Sequence, residues 1–429
     1  MKQLYNLFYQ CSGVSTDTRK IEQNNLYIAL KGENFNGNVF AQKAIDQGAK
    51  YAIVDEEEYA NGKTIFKVED GLLFLQELAN FHREKFSIPV LGITGSNGKT
   101  TTKELIAAVL NEKFDILYTI GNLNNHIGVP LTLLRISNQH DIAVIEMGAS
   151  KPGDIEELTA IANPSHGIIT NIGYAHLEGF GGPEGVIKTK KELYDSIEKI
   201  GGTLFLNADD EVLSEIIPKN IETITYGESS SADVHGQLDE FIPEVMFSWR
   251  SDKGSGNEVK TKIIGKYNFY NMLAAVAIGD YFEVNDVDIN RAIANYSPKN
   301  NRSQIEKTDK NTLILDAYNA NPTSVKSSLE SFNAMPSEDK FFVLGDMKEL
   351  GKDSLEYHRE IVSLTKSFDL QGVFVGEEFM KIAKEDESIM AFKDTDEARN
   401  FLLTAQPLNN LILLKGSRSI GLERIKDVF

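Results

Sequence analysis

A turn between a predicted strand and a predicted helix limits the fold of this chain more than any other segment. It lies in GITGSNGKTT, residues 92–101, between the apolar run PVLGIT and a helix that begins near Lys99. Glycines in such a turn let backbone N–H groups face phosphate oxygens, and the helix N-terminus adds a favourable partial charge. We therefore predict an ATP-binding loop made of Gly95, Ser96, Asn97, Gly98, Lys99, Thr100 and Thr101.

Two side chains of this loop carry the expected chemistry. Lys99 is expected to reach the terminal phosphates of ATP, and the Thr100 hydroxyl is expected to ligate Mg²⁺. The strict pattern G-x-x-x-x-G-K-[ST] requires glycine at position 93, where this chain has Ile93. The order of strand, Gly95, Gly98, lysine and helix carries the prediction instead, and an ordinary tight turn is the alternative.

The segments around the loop predict an α/β fold with three domains. A chain of 429 residues is too long for one ordinary hydrophobic core. In residues 88–297, apolar runs alternate with helical segments, which is typical of a doubly wound parallel sheet. Residues 298–429 repeat this alternation and predict a Rossmann-like domain. Residues 1–87 predict a small mixed α/β domain.

Two local predictions accompany this division. The segment from Gly71 to Phe86 has apolar residues at helical spacing, and we expect the helix to end there because Pro89 restricts the residue before it. The polar stretch from Glu228 to Lys262 is expected to form a peripheral hairpin region with little functional content.

Charge and cysteine content exclude several classes of function. The chain has 44 basic and 63 acidic residues, a net charge of −19, so we expect neither nucleic acid nor an anionic membrane surface as a partner. One cysteine, Cys11, favours a reducing cytoplasm. We identify neither a signal peptide nor an apolar run of the roughly 18 residues that a membrane span needs, so a cytoplasmic protein is expected.

Polar residues follow predicted strands of the central region and are candidate metal ligands. Glu146 ends the strand DIAVIE, and His176 follows the strand in HGIITNIG, where open parallel sheets place ligand groups. A lone glutamate or histidine is more often a solvated or core residue. The amide-rich segment 122–134, NLNNHIGVPLTLL, suits a polar substrate or the γ-phosphate, but it also suits a simple turn.

The chain resembles the Mur ligases in a series of segments that runs from Gly92 nearly to the C-terminus. The matching strings are GITGSNGKTTTKEL, NLNNHIGVPLTLL, EMGAS, TNIGYAHLEGFG, VIKTKKELY, NADD, GKYNFYNMLAAVAIG, DAYNANPTS, VLGDMKELG and LLKGSRS. Within that family, DAYNANPTS and LGDMKELG resemble the branch that adds D-alanyl-D-alanine to UDP-N-acetylmuramoyl-tripeptide. The N-terminal STDTRKIEQNNLYIALKGENFNGNVFAQKAIDQGA resembles the UDP-binding domain of this branch and of the step before it.

This resemblance implies a reaction with an acyl-phosphate intermediate. The carboxylate of the tripeptide attacks the γ-phosphate of ATP, and the amine of D-alanyl-D-alanine then displaces phosphate. The resemblance also implies two Mg²⁺ ions, with Thr100 and Glu146 near the first and His176 near the second. It further implies a lysine carbamylated by CO₂, for which VIKTKKELY selects Lys190. A shift in alignment would select Lys188 or Lys191, and a solvated basic helix face is the alternative.

The resemblance assigns further residues to nucleotide and substrate. Asn271 and Asn268 would read adenine, Asp316 would meet the ribose, and Arg302 would contact the nucleotide. Tyr267 stands where the family has a histidine, so that histidine's role is not transferred. The substrate-binding candidates are Asp17, Thr18, Arg19, Lys31, Gly32, Asn36, Gly37, Asn125, Asn319, Asn321, Pro322, Lys415, Ser417 and Arg418.

The expected partners are therefore the substrates UDP-N-acetylmuramoyl-tripeptide and D-alanyl-D-alanine. The protein itself is expected to be a monomer. The alternatives are a ligase that adds the third peptide residue, a folylpolyglutamate synthase, and a noncatalytic ATP-binding switch. The first carries a DNPR-type signature that we do not find here, and the second lacks a UDP-binding domain of this type. A switch would need the loop but not Glu146, His176 and Lys190.

Overall fold

The N-terminal part of the chain forms a small α/β unit. The structure is a computed structural model that describes residues 2–299 and 301–429. The sheet has the order β1-β2-β5-β6 with parallel neighbours, and β3 and β4 form a separate hairpin. The elements are α1 (Lys2–Phe8), β1 (Val14–Ser15), β2 (Leu26–Ile28), β3 (Lys31–Gly32), β4 (Phe35–Asn36), α2 (Ala41–Asp46), β5 (Tyr51–Val54), β6 (Ile65–Lys67) and α3 (Gly71–Arg83).

The central part is built on a largely parallel sheet. Its order is β15-β14-β13-β12-β11-β10-β7-β9-β8, and only the pairs β13–β14 and β14–β15 are antiparallel among the strands described. Its first elements are β7 (Val90–Thr94), α4 (Lys99–Leu110), β8 (Ile116–Tyr118), α5 (Gly128–Leu133), β9 (Ile142–Glu146), α6 (Asp154–Ala162), β10 (His166–Ile169), α7 (Leu177–Phe180) and α8 (Pro183–Ile200). Its remaining elements are β11 (Thr203–Asn207), α9 (Glu211–Ile216), β12 (Glu222–Gly227), β13 (Val234–Glu240), β14 (Met246–Arg250), β15 (Ser255–Lys260), α10 (Phe269–Tyr281) and α11 (Asp286–Asn295).

The C-terminal part carries a second sheet that is parallel except at the pair β16–β17. Its order is β16-β17-β21-β18-β19-β20. The elements are β16 (Gln304–Lys307), β17 (Thr312–Asp316), α12 (Pro322–Ala334), β18 (Lys340–Gly345), α13 (Ser354–Ser367), β19 (Gln371–Val375), α14 (Glu377–Ala383), β20 (Ala391–Phe392), α15 (Thr395–Ala405) and β21 (Leu411–Lys415). The predicted fold class, α/β with a central doubly wound parallel sheet, is confirmed.

Of the two local predictions, the end of helix α3 needs correction. Helix α3 ends at Arg83, before Phe86, because the Arg83 guanidinium donates hydrogen bonds to the carbonyls of Phe86 and Ile88 and folds the chain into a turn. The hairpin region predicted for 228–262 is confirmed: β13 to β15 are antiparallel strands at one edge of the central sheet, which they extend.

Packing joins these parts. One hydrophobic core includes Leu26 and Phe74 of the N-terminal part together with Val90 and Leu193 of the central part. Another joins Phe180 on α7 to residues of the C-terminal sheet. Burial of apolar surface of this kind is the main stabilising term between packed elements. In the ranges described, no helix has both the length and the apolar character needed to cross a membrane.

Candidate active site

A large cavity lies where the carboxyl ends of the central strands face the C-terminal sheet. Its volume is about 860 Å³. Open parallel sheets bind ligands at such strand ends. The predicted site residues that line it are Ser96, Asn97, Gly98, Lys99, Thr100, Thr101, Asn125, Glu146, His176, Asn268, Asn271, Arg302, Asp316, Asn319, Asn321 and Lys415.

The turn at residues 95–98 needs its glycines. Gly95 has φ +144° and Gly98 has φ +78°, both in the region that disfavours residues with a side chain. A Cβ on Gly95 would lie 2.0 Å from the Thr170 hydroxyl, and one on Gly98 would lie 2.6 Å from the Asn271 amide oxygen. The backbone therefore approaches two polar side chains too closely for any other residue.

The N-terminus of α4 opens into the cavity. In the described chain, no protein acceptor pairs with the N–H groups of Gly98, Lys99, Thr100 and Thr101. The N–H groups of Ser96 and Asn97, in contrast, already donate to Asn171. The sequence pattern had implied that the whole loop faces the phosphates, but the free donors belong to its last residues and to the first helical turn. Such a group of N–H donors is a favourable anion site.

Lys99 lies across this opening. Its ammonium donates to the carbonyl of Gly95 at 2.6 Å and to that of Ser96 at 3.2 Å. Burial lowers its pKa, because the charged form loses hydration. The side chain therefore stands next to the helix N-terminus with its charge held by two loop carbonyls.

Glu146, at the end of β9, is the best-connected carboxylate of the cavity. It is almost fully buried, and it accepts hydrogen bonds from the Thr100 hydroxyl at 3.1 and 3.2 Å and from the Asn124 amide at 2.8 Å. The ammonium of buried Lys103 lies 3.3 Å away. A buried charge is tolerated only when it is paired and hydrogen-bonded, and these partners satisfy that requirement.

His176 lies at the border between the central and C-terminal parts. It takes a left-handed conformation, φ 53°, before α7. Its Nδ1 contacts the carboxylate of Glu349, a residue of the C-terminal loop after β18. The contact with His176 is the largest cause that lowers the pKa of Glu349. The backbone N–H of Glu178 also donates to the Glu349 carbonyl at 3.2 Å, which fixes the loop against α7.

Lys190 is buried on α8 and does not belong to the cavity lining. Its ammonium nitrogen lies 5.4 Å from the centre of the Phe180 ring. Burial lowers its pKa well below the usual value, and the nearby charge of Lys99 lowers it further. The neighbouring candidates differ, since Lys188 is exposed and Lys191 pairs with Asp195.

A second cavity of about 630 Å³ adjoins the first and shares Asn171, Tyr267, Asn271 and Ser327 with it. Asn271 accepts a hydrogen bond from the Thr102 hydroxyl at 3.0 Å and donates to the Asn268 amide oxygen at 2.8 Å. Asn268 in turn donates to the Ile264 carbonyl at 2.8 Å. Asn271 therefore lies between the cavities, and both asparagines have most of their amide groups already paired.

The C-terminal wall of the large cavity is built around Tyr318. The guanidinium carbon of Arg302 lies 3.5 Å from the centre of its ring, and that of Arg418 lies 5.0 Å away. Beside them, the ammonium of Lys415 pairs with Asp316 at 2.5 Å, across neighbouring positions of β21 and β17. Stacked arginines and a mostly buried ion pair make this wall cationic but ordered.

Two predicted asparagines have defined hydrogen bonds in the cavity. Asn125 accepts from the N–H of Gly128 at 2.9 Å at the start of α5. Asn321 caps α12 by accepting from the N–H of Ser324 at 2.9 Å, and its amide donates to the Asn97 side chain at 2.7 Å. The second bond joins the C-terminal part directly to the phosphate loop.

The predicted residues of the N-terminal part do not reach the large cavity. Asp17 pairs with exposed Arg19 at 2.8 Å, and that hydrogen bond is the largest cause that lowers the Asp17 pKa to about 2. Lys31 pairs with Asp55 at 2.9 Å and with Glu56 at 3.1 Å. The Asn36 amide also donates to Glu56, at 3.1 Å. The structure thus groups Lys31 and Asn36 but keeps them apart from the ATP-binding candidates.

Several contacts at the site were not identified from the sequence. Lys103 lies four residues after Lys99 and hence on the same helix face, a spacing that could have drawn attention to it. Asn124 belongs to the amide-rich segment that had stayed undecided. Tyr318 and Glu349 lie on C-terminal loops, where no periodic pattern indicates a contact with another domain.

Comparison with known proteins matches this architecture along almost the whole chain. Residues 93–279 match the Mur ligase middle domain, residues 301–418 match the Mur ligase glutamate ligase domain, and residues 10–83 match the Mur ligase family catalytic domain. A protein of Bacillus subtilis (strain 168) is 34% identical over 97% of this chain and 93% of its own length. The chain therefore belongs to the Mur ligase family, as its motifs predicted.

That relative is named UDP-N-acetylmuramoyl-tripeptide--D-alanyl-D-alanine ligase. A crystal structure of MurF from Acinetobacter baumannii superposes with a TM-score of 0.88 at 32% identity and covers 96% of this chain and 92% of that one. The MurF ligase of Thermotoga maritima in complex with ADP gives a TM-score of 0.83 at 27% identity, with coverage of 99% and 98%.

Proposed function

We propose that this chain is an ATP-dependent ligase that joins D-alanyl-D-alanine to UDP-N-acetylmuramoyl-tripeptide, with ADP and phosphate as the other products. The observation that carries this proposal is one cavity with two different walls. One wall presents the free N–H groups of a phosphate loop with Lys99 beside them, and the other presents asparagines and cations of the C-terminal part. The name of the Bacillus subtilis relative supplies the substrates.

ATP binding follows from the donors of the first wall. In this proposal the phosphates accept hydrogen bonds from the N–H groups of residues 98–101. The Lys99 ammonium leaves the carbonyls of Gly95 and Ser96 and binds the phosphates instead. The adenosine end extends past Asn271 toward the second cavity, because the two cavities meet there. The ADP complex of the Thermotoga maritima relative supports nucleotide binding in a protein of this fold.

The reaction then proceeds in two substitutions. An oxygen of the tripeptide carboxylate attacks the γ-phosphorus, the bond to ADP breaks, and an acyl phosphate forms. The amine nitrogen of D-alanyl-D-alanine attacks the acyl carbon, phosphate leaves, and the nitrogen loses a proton. Phosphoryl transfer depends mainly on positioning and on neutralising charge, so Lys99 is the residue that the first step needs most.

Thr100 and Glu146 fit an Mg²⁺ ion, because Mg²⁺ prefers oxygen ligands and is usually bound by one or two carboxylates together with substrate phosphates. When bound, the ion would neutralise phosphate charge. Within residues 2–299 and 301–429, no group of three or more His, Cys, Asp or Glu side chains could hold a metal by itself. We propose His176 for a second ion, which would also depend on substrate oxygens.

A carbamate on Lys190 is part of this proposal. Carbamate formation requires a neutral amine, and burial favours the neutral form of this lysine. Lys190→Ala should lose turnover and recover part of it when short carboxylic acids are added. Mass spectrometry under CO₂ tests the modification directly. An unmodified lysine and no rescue would contradict the assignment.

We assign the UDP end of the substrate to the N-terminal part, through Asp17, Thr18, Arg19, Lys31 and Asn36. These residues lie apart from the large cavity, and Leu72 on α3 is the residue of that part that lines it. An extended substrate with a nucleotide at one end and a peptide carboxylate at the other spans such a separation. The expected location is the cytoplasm, where ATP is supplied, and the expected state is a monomer.

Release of ADP under omission of single substrates tests the function. We expect release to require both UDP-N-acetylmuramoyl-tripeptide and D-alanyl-D-alanine, with formation of the pentapeptide detected by mass spectrometry. Glutamate or a diamino acid offered in place of the dipeptide tests the alternative ligases. ADP release without any acceptor amine would contradict ligation.

A further inference from the structure

Asn171, two residues after β10, makes an unusually complete set of hydrogen bonds to the phosphate loop. Its side-chain oxygen accepts from the N–H of Asn97 at 3.0 Å, and its amide donates to the Asn97 carbonyl at 3.0 Å. Its own carbonyl accepts from the N–H of Ser96 at 2.9 Å. The side chain thus pairs with both the backbone N–H and the backbone carbonyl of Asn97, as a neighbouring strand would.

The residues around Asn171 extend this contact in both directions. The Thr170 hydroxyl donates to the Asn97 carbonyl at 2.6 Å. The Ser96 hydroxyl donates to the Gly173 carbonyl at 3.0 Å and accepts from the Gly173 N–H at 2.9 Å. Thr170, Asn171 and Gly173 therefore all form hydrogen bonds with residues 96–97.

This pairing has a consequence for the donors that face the cavity. The N–H groups of Ser96 and Asn97 already donate to Asn171, so an anion would bind to the N–H groups that follow them. The loop must turn sharply after Asn97, and the positive φ of Gly98 provides that turn. The direction of α4 relative to the cavity thus depends on where Asn97 is held.

We propose that Asn171 is a positioning residue that fixes the phosphate loop in its anion-binding shape before the nucleotide arrives. The inference rests on the proposed use of ATP, but not on the identity of the acceptor. Only an amide side chain offers a donor and an acceptor at this spacing. An aspartate keeps the acceptor but places a second carboxylate oxygen against the Asn97 carbonyl, which cannot form a hydrogen bond with it.

The test compares Asn171→Asp and Asn171→Ala with a matched change, Asn220→Asp, in the exposed turn between α9 and β12. ADP affinity is measured by isothermal titration calorimetry. We expect both Asn171 variants to bind ADP about 10-fold to 100-fold more weakly. Asn171→Ala loses both side-chain hydrogen bonds to Asn97, whereas Asn171→Asp loses one and sets a carboxylate oxygen against the Asn97 carbonyl. Asn220→Asp should bind as the wild type does.

Hydrogen exchange of the nucleotide-free protein gives a second readout. In the wild type, the amides of Ser96 and Asn97 should be protected, and in Asn171→Ala they should exchange faster while the amides of β7 keep their protection. A general loss of structure would raise exchange in β7 as well. Unchanged ADP affinity with unchanged protection at residues 96–97 would overturn the proposal.

Two further measurements keep the outcome clear. Thr170→Val removes the hydroxyl that donates to the Asn97 carbonyl, with little change in volume. It should weaken ADP binding by a smaller factor than the Asn171 variants do. This variant keeps the proposal testable if the Asn171 variants fold poorly. Steady-state kinetics should show a raised KM for ATP with an unchanged KM for the acceptor. Normal ADP binding without acceptor-dependent turnover would count against the proposed function and leave this role of Asn171 intact.

Discussion

The two walls of the large cavity are built in different ways. The central wall is assembled within one part of the chain: Glu146 at the end of β9 is buried and contacts Thr100 and Lys103 of α4 and Asn124 of the loop before α5. The C-terminal wall meets it through a small set of polar contacts, such as Asn321 to Asn97 and Glu349 to His176, and through the apolar core that includes Phe180. The phosphate end of the site is therefore preformed, whereas the arrangement of the acceptor end depends on how the two parts meet.

This difference agrees with the division of chemistry proposed for the site. Charge neutralisation at a transferring phosphoryl group is most effective when the donors need no reorganisation. Admission of a large substrate and then of a dipeptide, in contrast, requires an opening. Separation of the walls, as lids and domains separate in many transferases, would break these hydrogen bonds and also expose the apolar contacts of Phe180.

The largest expected effect tests the central wall. Lys99→Ala should lower kcat by about 10²-fold to 10³-fold or more, because the charge on the transferred phosphoryl group loses its ammonium. ADP release in the presence of both substrates measures it, and thermal unfolding serves as the control, which should change little. A nearly normal kcat would show that the central wall does not carry the chemistry.

The second prediction concerns the stability of the same wall. Lys103→Met leaves buried Glu146 without its nearest ammonium and should lower the free energy of unfolding by about 3 kcal/mol. Urea denaturation measures the change. Lys219→Met, in an exposed turn, is the matched control and should stay within about 0.5 kcal/mol. Equal effects of the two changes would mean that the pair is not a preformed part of the site.

A smaller effect is expected where the walls touch. Asn321→Ala removes both the cap of α12 and the contact with Asn97 and should cost about 1 kcal/mol of stability. Asn321→Ser can keep the cap, but its hydroxyl cannot extend to Asn97. We expect Asn321→Ser to retain stability and to raise the KM for ATP roughly threefold to tenfold. Identical kinetics for wild type and serine variant would indicate that the contact does not couple the walls.

The last expected effect is a dependence of stability on pH in the C-terminal part. His358 is fully buried and accepts from the N–H of Met347 at 3.0 Å, in the loop that carries Glu349. Burial lowers its pKa, so as the pH falls through about 6.5 the unfolded chain binds a proton that the folded chain does not. Stability should therefore fall below that pH, by at most about 1.4 kcal/mol per unit for this group.

The measurement is urea denaturation between pH 7.5 and 5.5. His358→Gln should lose part of the pH slope, whereas His235→Gln on β13 should keep it. A slope that is the same in the wild type and in both variants would assign the pH dependence to other groups. His82 and His166 also have a pKa lowered by burial, so the comparison of slopes is more informative than the slope of the wild type.

The order of elements was readable from the sequence wherever apolar runs were long. The helix predicted to begin near Lys99 is α4, Lys99–Leu110, and the strand predicted at DIAVIE is β9, Ile142–Glu146. Helix α3 ends earlier than its apolar spacing predicts, because the Arg83 guanidinium donates to the carbonyls of Phe86 and Ile88 and draws the chain into a turn before Pro89. The family and fold class followed from motifs, but the roles of the individual site residues stay predictions.

The sequence by itself determined the phosphate loop, the parallel sheets and the family, because these depend on local order: glycines at fixed spacing, apolar runs and helix signals. Only the tertiary structure decided which donors of the loop stay free, that Lys103 and Asn124 bind Glu146, and that Glu349 meets His176. The physical reason is that these contacts join residues far apart in the chain. Their geometry depends on how sheets and domains pack, which no local pattern encodes.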